Sequence, residues 1–142
     1  MKNEPIVIEH TYHAPIDKVW NAITDKNKMK LWYFDLEDFK PEVGYEFTFE
    51  GGSENKTYLH ICRVTDVIIG NKLTHSWRYD GYKGNSYVTW ELFSEDDNTR
   101  VKLTHKGLET FPETNPDFAK SNFEQGWTSI LGTSLKEYLE KQ

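Results

Sequence analysis

The chain has 142 residues, a formal net charge of −6, 37% hydrophobic residues and 28% charged residues. This length suits one domain with its own core. The acidic balance, with no Lys/Arg cluster long enough to track a phosphate backbone, argues against nucleic acid or an anionic membrane as partner. No run approaches the roughly 18 apolar residues of a bilayer span, and Met1-Lys-Asn-Glu-Pro5 lacks the apolar core of a signal peptide. A cytoplasmic protein, monomer or homodimer, is expected.

Aromatic residues make up 15% of the chain, so either the core or a cavity must be aromatic. Cys62 is the lone cysteine, which rules out an intrachain disulfide, and its strand-like setting suits packing as a small hydrophobe.

Ile6, Ile8, His10 and Tyr12 share one face of an extended segment, and after Pro15 the period changes, with Ile16, Val19, Trp20 and Ile23 on one helical face. Pro15 marks the join, because it gives nothing to a sheet ladder and suits a helix start. Lys26 to Leu31 suggests a second short helix leading to the aromatic group Trp32-Tyr33-Phe34, and Pro41 and Gly44 mark a turn.

Strands follow. Tyr45, Phe47 and Phe49 alternate with polar residues up to Gly51-Gly52, as a half-buried strand requires. From Thr57 to Val67 the set Tyr58, His60, Cys62, Val64 opposes Leu59, Ile61, Arg63, and the pattern leaves open which set faces inward. Gly70-Asn71 supplies a hairpin turn. Leu73, His75, Trp77 and Tyr79 then share a face, as do Val88, Trp90 and Leu92 after the turn at Asp80 to Asn85. Glu95 to Asn98 reads as a solvated loop, and Val101, Leu103 and His105 form the last inward set.

Residues Phe123, Trp127, Ile130, Leu131, Leu135, Tyr138 and Leu139 recur at three- and four-residue steps, which predicts a long amphipathic C-terminal helix. Two starts compete, Asn115-Pro116 as cap and first-turn proline, or Ser121 with Glu124 as a capping box. An antiparallel meander and one apolar-faced helix must bury their greasy faces against each other. The expected class is α+β, a curved antiparallel sheet of about six or seven strands on a long C-terminal helix, with two short helices after the first strand.

That order of elements resembles the START-like, or SRPBCC, helix-grip superfamily over nearly the whole chain, residues 1–142 as a single domain. Ala14-Pro15-Ile16-Asp17-Lys18-Val19-Trp20, Leu31-Trp32-Tyr33, Leu73 to Trp77, Val88 to Leu92, Thr104 to Gly107 and Gly126-Trp127 resemble the branch named for the activator of heat-shock protein 90 ATPase. The resemblance implies a cavity between helix and sheet for a lipid or other apolar molecule, and no single reaction. The branch name comes from a larger co-chaperone with an extra N-terminal domain, for which 142 residues leave no room, so ATPase activation is not carried over.

Residues expected at such a ligand site are Trp32, Phe47, Phe49, His75, Trp77, Tyr79, Trp90, His105, Phe123, Gly126, Trp127 and Ile130. Their rings can be read as cavity wall or as packed core. Gly126 and Gly132 each cost roughly 0.5–1 kcal/mol relative to alanine inside a helix, which hints at a close approach or a local bend. Gly126, at the edge of the apolar stripe, is the better pocket candidate.

No catalytic residue, cofactor or metal is assigned. His10 and His13 point to opposite strand faces, and no metal-ligand spacing occurs elsewhere. No Gly-x-Ser-x-Gly elbow is present, and Gly51-Gly52 and Gly81-x-x-Gly84 read as turns because neither leads directly into a helix. His75 or His105 could serve as a pocket base or be satisfied structurally. Three functions follow in order: an apolar small-molecule binder, a co-chaperone-like interaction module using Leu59 and Ile61 if those face outward, and a cyclase or hydrolase.

Overall fold

The computed structural model describes residues 4–33, 39–52, 56–112 and 114–140. Phe34, part of the aromatic group read from the sequence, lies outside them.

Six strands form one antiparallel sheet: β1 (Ile6–Tyr12), β2 (Glu46–Gly52), β3 (Thr57–Ile68), β4 (Lys72–Tyr79), β5 (Ser86–Glu95) and β6 (Asn98–Lys106). Their spatial order is β1-β6-β5-β4-β3-β2, so β2 to β6 form a meander and β1 adds to its far edge. Alternation sends one side of each strand inward, including Phe47 and Phe49 from β2, Trp77 and Tyr79 from β4, and Val101 and Leu103 from β6. In β3 the inward set is Tyr58, His60, Cys62 and Val64, set by pairing of His60 with Tyr79 and of Phe47 with Cys62. A register shift between Val64 and Asp66 marks a bulge in that strand.

The solvated loop expected at Glu95 to Asn98 is a tight hairpin turn, with Glu95, Asp96 and Asp97 exposed. Glu95 pairs with Asn98, and Asp96 turns the chain at φ 59°, a conformation aspartate tolerates. Gly84 sits at φ 110°, and a Cβ there would lie 2.6 Å from the Phe111 ring and 2.7 Å from the Thr110 carbonyl, so only glycine allows the loops to meet.

After β1 come α1 (Ile16–Thr24) and α2 (Lys26–Met29). Pro15 stands just before α1 in extended backbone, and Val19, Trp20, Ala22 and Ile23 turn to the core. The Asp25 carboxylate accepts from the Asn27 amide at 2.9 Å and caps α2. The Trp32 indole donates to the Ala22 carbonyl at 2.9 Å, tying Trp32 to α1.

The C-terminal helix is not uniform. It begins as α3 (Lys120–Ser129), widens into a π-helical segment (Ile130–Leu135), and ends as α4 (Lys136–Glu140). The spacing of its buried residues gives the reason. Trp127, Leu131, Leu135 and Leu139 are all buried and stand four apart. On a regular α-helix each four-residue step drifts about 40°, so three steps would swing the row roughly 120° around the axis. A wider π turn rotates less per residue and holds the row over the sheet.

The Tyr12 hydroxyl on β1 donates to the Leu131 carbonyl inside this segment at 2.7 Å, and burial pushes the phenol pKa well up. Replacing Tyr12 with phenylalanine is expected to cost about 1–2 kcal/mol in urea unfolding, because a buried carbonyl loses its donor. An unchanged midpoint would show that the carbonyl finds another partner.

Both expected starts of this helix resolve differently. Asn115 accepts from the Asp117 amide at 3.0 Å, but it caps a separate one-turn 3-10 helix, Pro116–Phe118. Ser121 lies inside α3, which starts after Ala119 without a side-chain cap, so the Ser121–Glu124 capping box does not form.

Candidate functional site: an aromatic cleft beneath the C-terminal helix

The interior rings separate into a filled end and an open end. At the filled end, Trp32, Phe47, His75 and Trp90 meet Ile23, Met29 and Leu73 around about 10 Å³ of free space. That is at most the room for one water. Trp90 packs edge-on to Trp32 at 6.4 Å, and Phe47 packs edge-on to His75 at 5.3 Å. Phe47, His75 and Trp90 are therefore core here, while Trp32, packed on this side, also borders a separate surface cleft of about 390 Å³ with Leu31, Tyr33 and Tyr138.

At the open end a cleft of about 440 Å³ lies between α3 and the inner faces of β3 and β4. Tyr58, His60, Trp77 and Tyr79 come from the sheet, Asp117 and Phe118 from the 3-10 turn, and Asn122, Phe123, Gly126, Trp127 and Ile130 from the helix side. Of the residues expected from the sequence, Trp77, Tyr79, Phe123, Gly126, Trp127 and Ile130 meet here. Phe49 stands behind this wall, stacked on His60 with ring centroids 4.5 Å apart. Gly126 has no heavy atom within 4 Å of where a Cβ would sit, so its role is not close packing: it leaves the cleft open.

Sequence reasoning missed Tyr58, His60, Asp117, Phe118 and Asn122. The first two were hidden because both faces of β3 carry apolar side chains, and only pairing with Tyr79 settles the parity. Asp117 and Phe118 follow the Asn115-Pro116 cap, whose signal was visible but was assigned to the long helix.

Polar atoms in and behind the cleft are joined in short chains. The Trp127 indole donates to His105 Nδ1 at 3.0 Å, so that nitrogen is an acceptor and the imidazole proton sits on Nε2. Nε2 then donates to Ser86 Oγ at 2.8 Å, and Ser86 donates to the Trp77 carbonyl at 2.9 Å. His75 carries its proton on Nδ1, donating to the Ser76 carbonyl at 3.1 Å, while Nε2 accepts from the Trp90 indole at 3.4 Å.

Burial lowers the pKa of His75 to about 4 and that of His105 to about 3, the latter helped by its proximity to His75. Both histidines have both ring nitrogens engaged, and neither lines the cleft. His60 does line it. Its Nδ1 contacts the Tyr58 carbonyl at 3.0 Å, and burial lowers its pKa to about 4 despite carbonyl contacts with Tyr58 and Phe49.

Two phenols give the cleft its remaining polarity. Tyr79 accepts from the Trp77 indole at 2.9 Å, which leaves the phenol's own proton to give to another acceptor. Tyr58 donates to the Asp117 carboxylate at 2.5 Å and accepts from the Asn115 amide at 3.3 Å. Burial first, then this bond to Asp117, holds the Tyr58 proton on. Cys62 is fully buried behind this surface, and burial pushes its thiol pKa well up, so it is an inert packing group. Among the described residues no group of three His, Cys, Asp or Glu is placed to hold a metal ion, and no helix is long and apolar enough to cross a membrane.

Comparison with solved structures places this architecture among known proteins. The chain is similar to protein CV1439 from Chromobacterium violaceum, with 19% identity and a TM-score of 0.81 over 99% of both chains. It is similar to protein BH1534 from Bacillus halodurans, with 27% identity and a TM-score of 0.74 over 96% of both. It also resembles DynU16, a protein of the dynemicin biosynthetic locus, with 21% identity and a TM-score of 0.78 over 96% of this chain but only 47% of the other. The chain thus spans about half of DynU16. No curated protein matches it. The family model described as "Activator of Hsp90 ATPase homolog 1-like protein" matches residues 13–140, and with the helix-grip architecture this makes the chain a member of that family within the START-like superfamily.

Proposed function

We propose that the chain is a single START-like domain whose function is to hold a small, largely apolar molecule in the cleft beneath α3. The observation that carries this reading is the contrast between the two ends of one aromatic interior. One end is packed to about 10 Å³ of free space, while the other keeps about 440 Å³ between rings that could have closed on each other. Small-molecule pockets fall at roughly 300–1,000 Å³ and combine apolar walls with a few polar groups. Here the walls are Trp77, Phe118, Phe123 and Trp127, and the polar groups are Tyr58, Tyr79, His60 and Asp117.

The reading is tested by titrating the protein with the neutral probe 4-butylbenzyl alcohol while following tryptophan fluorescence. Trp77 and Trp127 line the cleft, so a saturable change is expected. Burying 100–200 Å² of apolar surface is worth roughly 2.5–5 kcal/mol, so affinity in the millimolar to high-micromolar range is expected for a probe of this size. Absence of saturation up to the solubility limit would contradict it.

A protein-interaction role has weaker support. Leu59 is exposed on the outer face of β3 and Ile61 only partly so. Thr57 and Arg63 flank them on that face, and Arg78 is paired beside Ile61 on β4, so the apolar surface ends on polar neighbours where a docking patch would extend further. An enzymatic role for His75 or His105 has none, because their lone pairs are already taken.

A further inference from the structure

Resting on the small-molecule reading above, we infer that the cleft selects a ligand whose apolar body carries a protonated amine over one that carries a carboxylate. Among the described residues that line it there is no lysine or arginine, and Asp117 is the one lining side chain with a full negative charge. Tyr58 engages Oδ2 of that carboxylate at 2.5 Å. A carboxylate has about four lone-pair sites, so capacity remains for a donor from the ligand.

The rings next to Asp117 point the same way. Tyr58, Tyr79 and Phe118 pack against one another with centroids 4.7–5.5 Å apart, and all three line the cleft. Aromatic faces are negative at their centres and attract cations. The chain's own Lys56 shows this at the rim: its ammonium lies 5.4 Å from the centroids of both Tyr58 and Tyr82. An ammonium entering beside Asp117 would meet an opposite charge among aromatic rings. A carboxylate there would meet the like charge of Asp117, and Lys56, the cation within electrostatic reach of that group, is already held over the Tyr58 and Tyr82 rings, so the repulsion discriminates against the wrong partner.

The experiment compares three probes with one hydrocarbon body by calorimetric titration of the full chain at neutral pH: 4-butylbenzylamine, 4-butylbenzyl alcohol and 4-butylbenzoate. The amine is expected to bind about tenfold more tightly than the benzoate, with the alcohol between them. In Asp117→Asn, which keeps an acceptor for the Tyr58 hydroxyl, amine affinity should fall about fivefold and alcohol affinity by clearly less. Benzoate binding as tightly as the amine, or an amine affinity indifferent to Asp117→Asn, would overturn the inference while leaving the small-molecule reading intact. If none of the three binds, that reading fails and the selectivity fails with it.

Discussion

Replacing Gly126 with phenylalanine is expected to abolish binding of small apolar probes, at least tenfold in affinity, without unfolding the protein. Gly126 lies on α3 and forms part of the cleft wall, and a Cβ built there has nothing within 4 Å. A benzyl group can therefore enter without displacing backbone, and it must occupy space that a ligand would use. The usual objection, that a larger residue disrupts packing, is reversed here. Glycine inside a helix costs roughly 0.5–1 kcal/mol relative to alanine, so Gly126→Ala should raise stability by about that amount in urea unfolding. A Gly126→Phe protein that folds and still binds 4-butylbenzyl alcohol as tightly as the parent would show that the probe sits elsewhere.

Mild acid is expected to destabilise the protein steeply, and histidines rather than carboxylates are the cause. His60 and His75 have native pKa values lowered to about 4 and His105 to about 3, all chiefly by burial, against about 6.5 in an unfolded chain. The geometry at His105 adds a reason: Nδ1 accepts the Trp127 indole proton, so protonating it would set two donors against each other.

Below about pH 6.5 the unfolded state binds protons that the native state refuses, so stability falls as pH falls. The slope approaches 1.4 kcal/mol per pH unit for each histidine, about 4 for the three together. Stability is thus full above about pH 6.5, is lost downward through pH 4, and the loss levels off only near the native values. Urea midpoints at pH 7 and pH 5 test this in a window above the ordinary carboxylate range. Equal midpoints would mean that the native histidines titrate normally.

How legible the fold was depended on whether a pattern was local. The strand-to-helix switch at Pro15 joins two elements that are neighbours in sequence, the alternation of Phe47 and Phe49 sits within β2, and the stripe from Phe123 to Leu139 runs along consecutive helical turns, and all of these form. Both faces of β3 carry apolar residues, so its parity became legible only from its neighbours, through His60 beside Tyr79. The π segment was implicit in the strict four-residue spacing of Trp127, Leu131, Leu135 and Leu139, a spacing that an α-helix cannot keep on one line.

The site was legible only in part, because whether a ring is wall or filling depends on what stands opposite it. Trp90 and Trp77 look alike in sequence. Trp90 faces Trp32 and closes the space, whereas Trp77 faces the cleft that Gly126 leaves open. Asp117, which sets the cleft's charge, belongs to a one-turn connector that carries no periodic signal of its own.

The most direct test of a small-molecule receptacle beneath α3 is a two-dimensional amide and indole NMR titration of the protein with 4-butylbenzyl alcohol. The account predicts saturable shifts at the Trp77 and Trp127 indole protons and the Gly126 amide, with those at Trp32 and Trp90 far smaller, and loss of the pattern in Gly126→Phe. Shifts that centre on Trp32 and Trp90, or that never saturate, would contradict it.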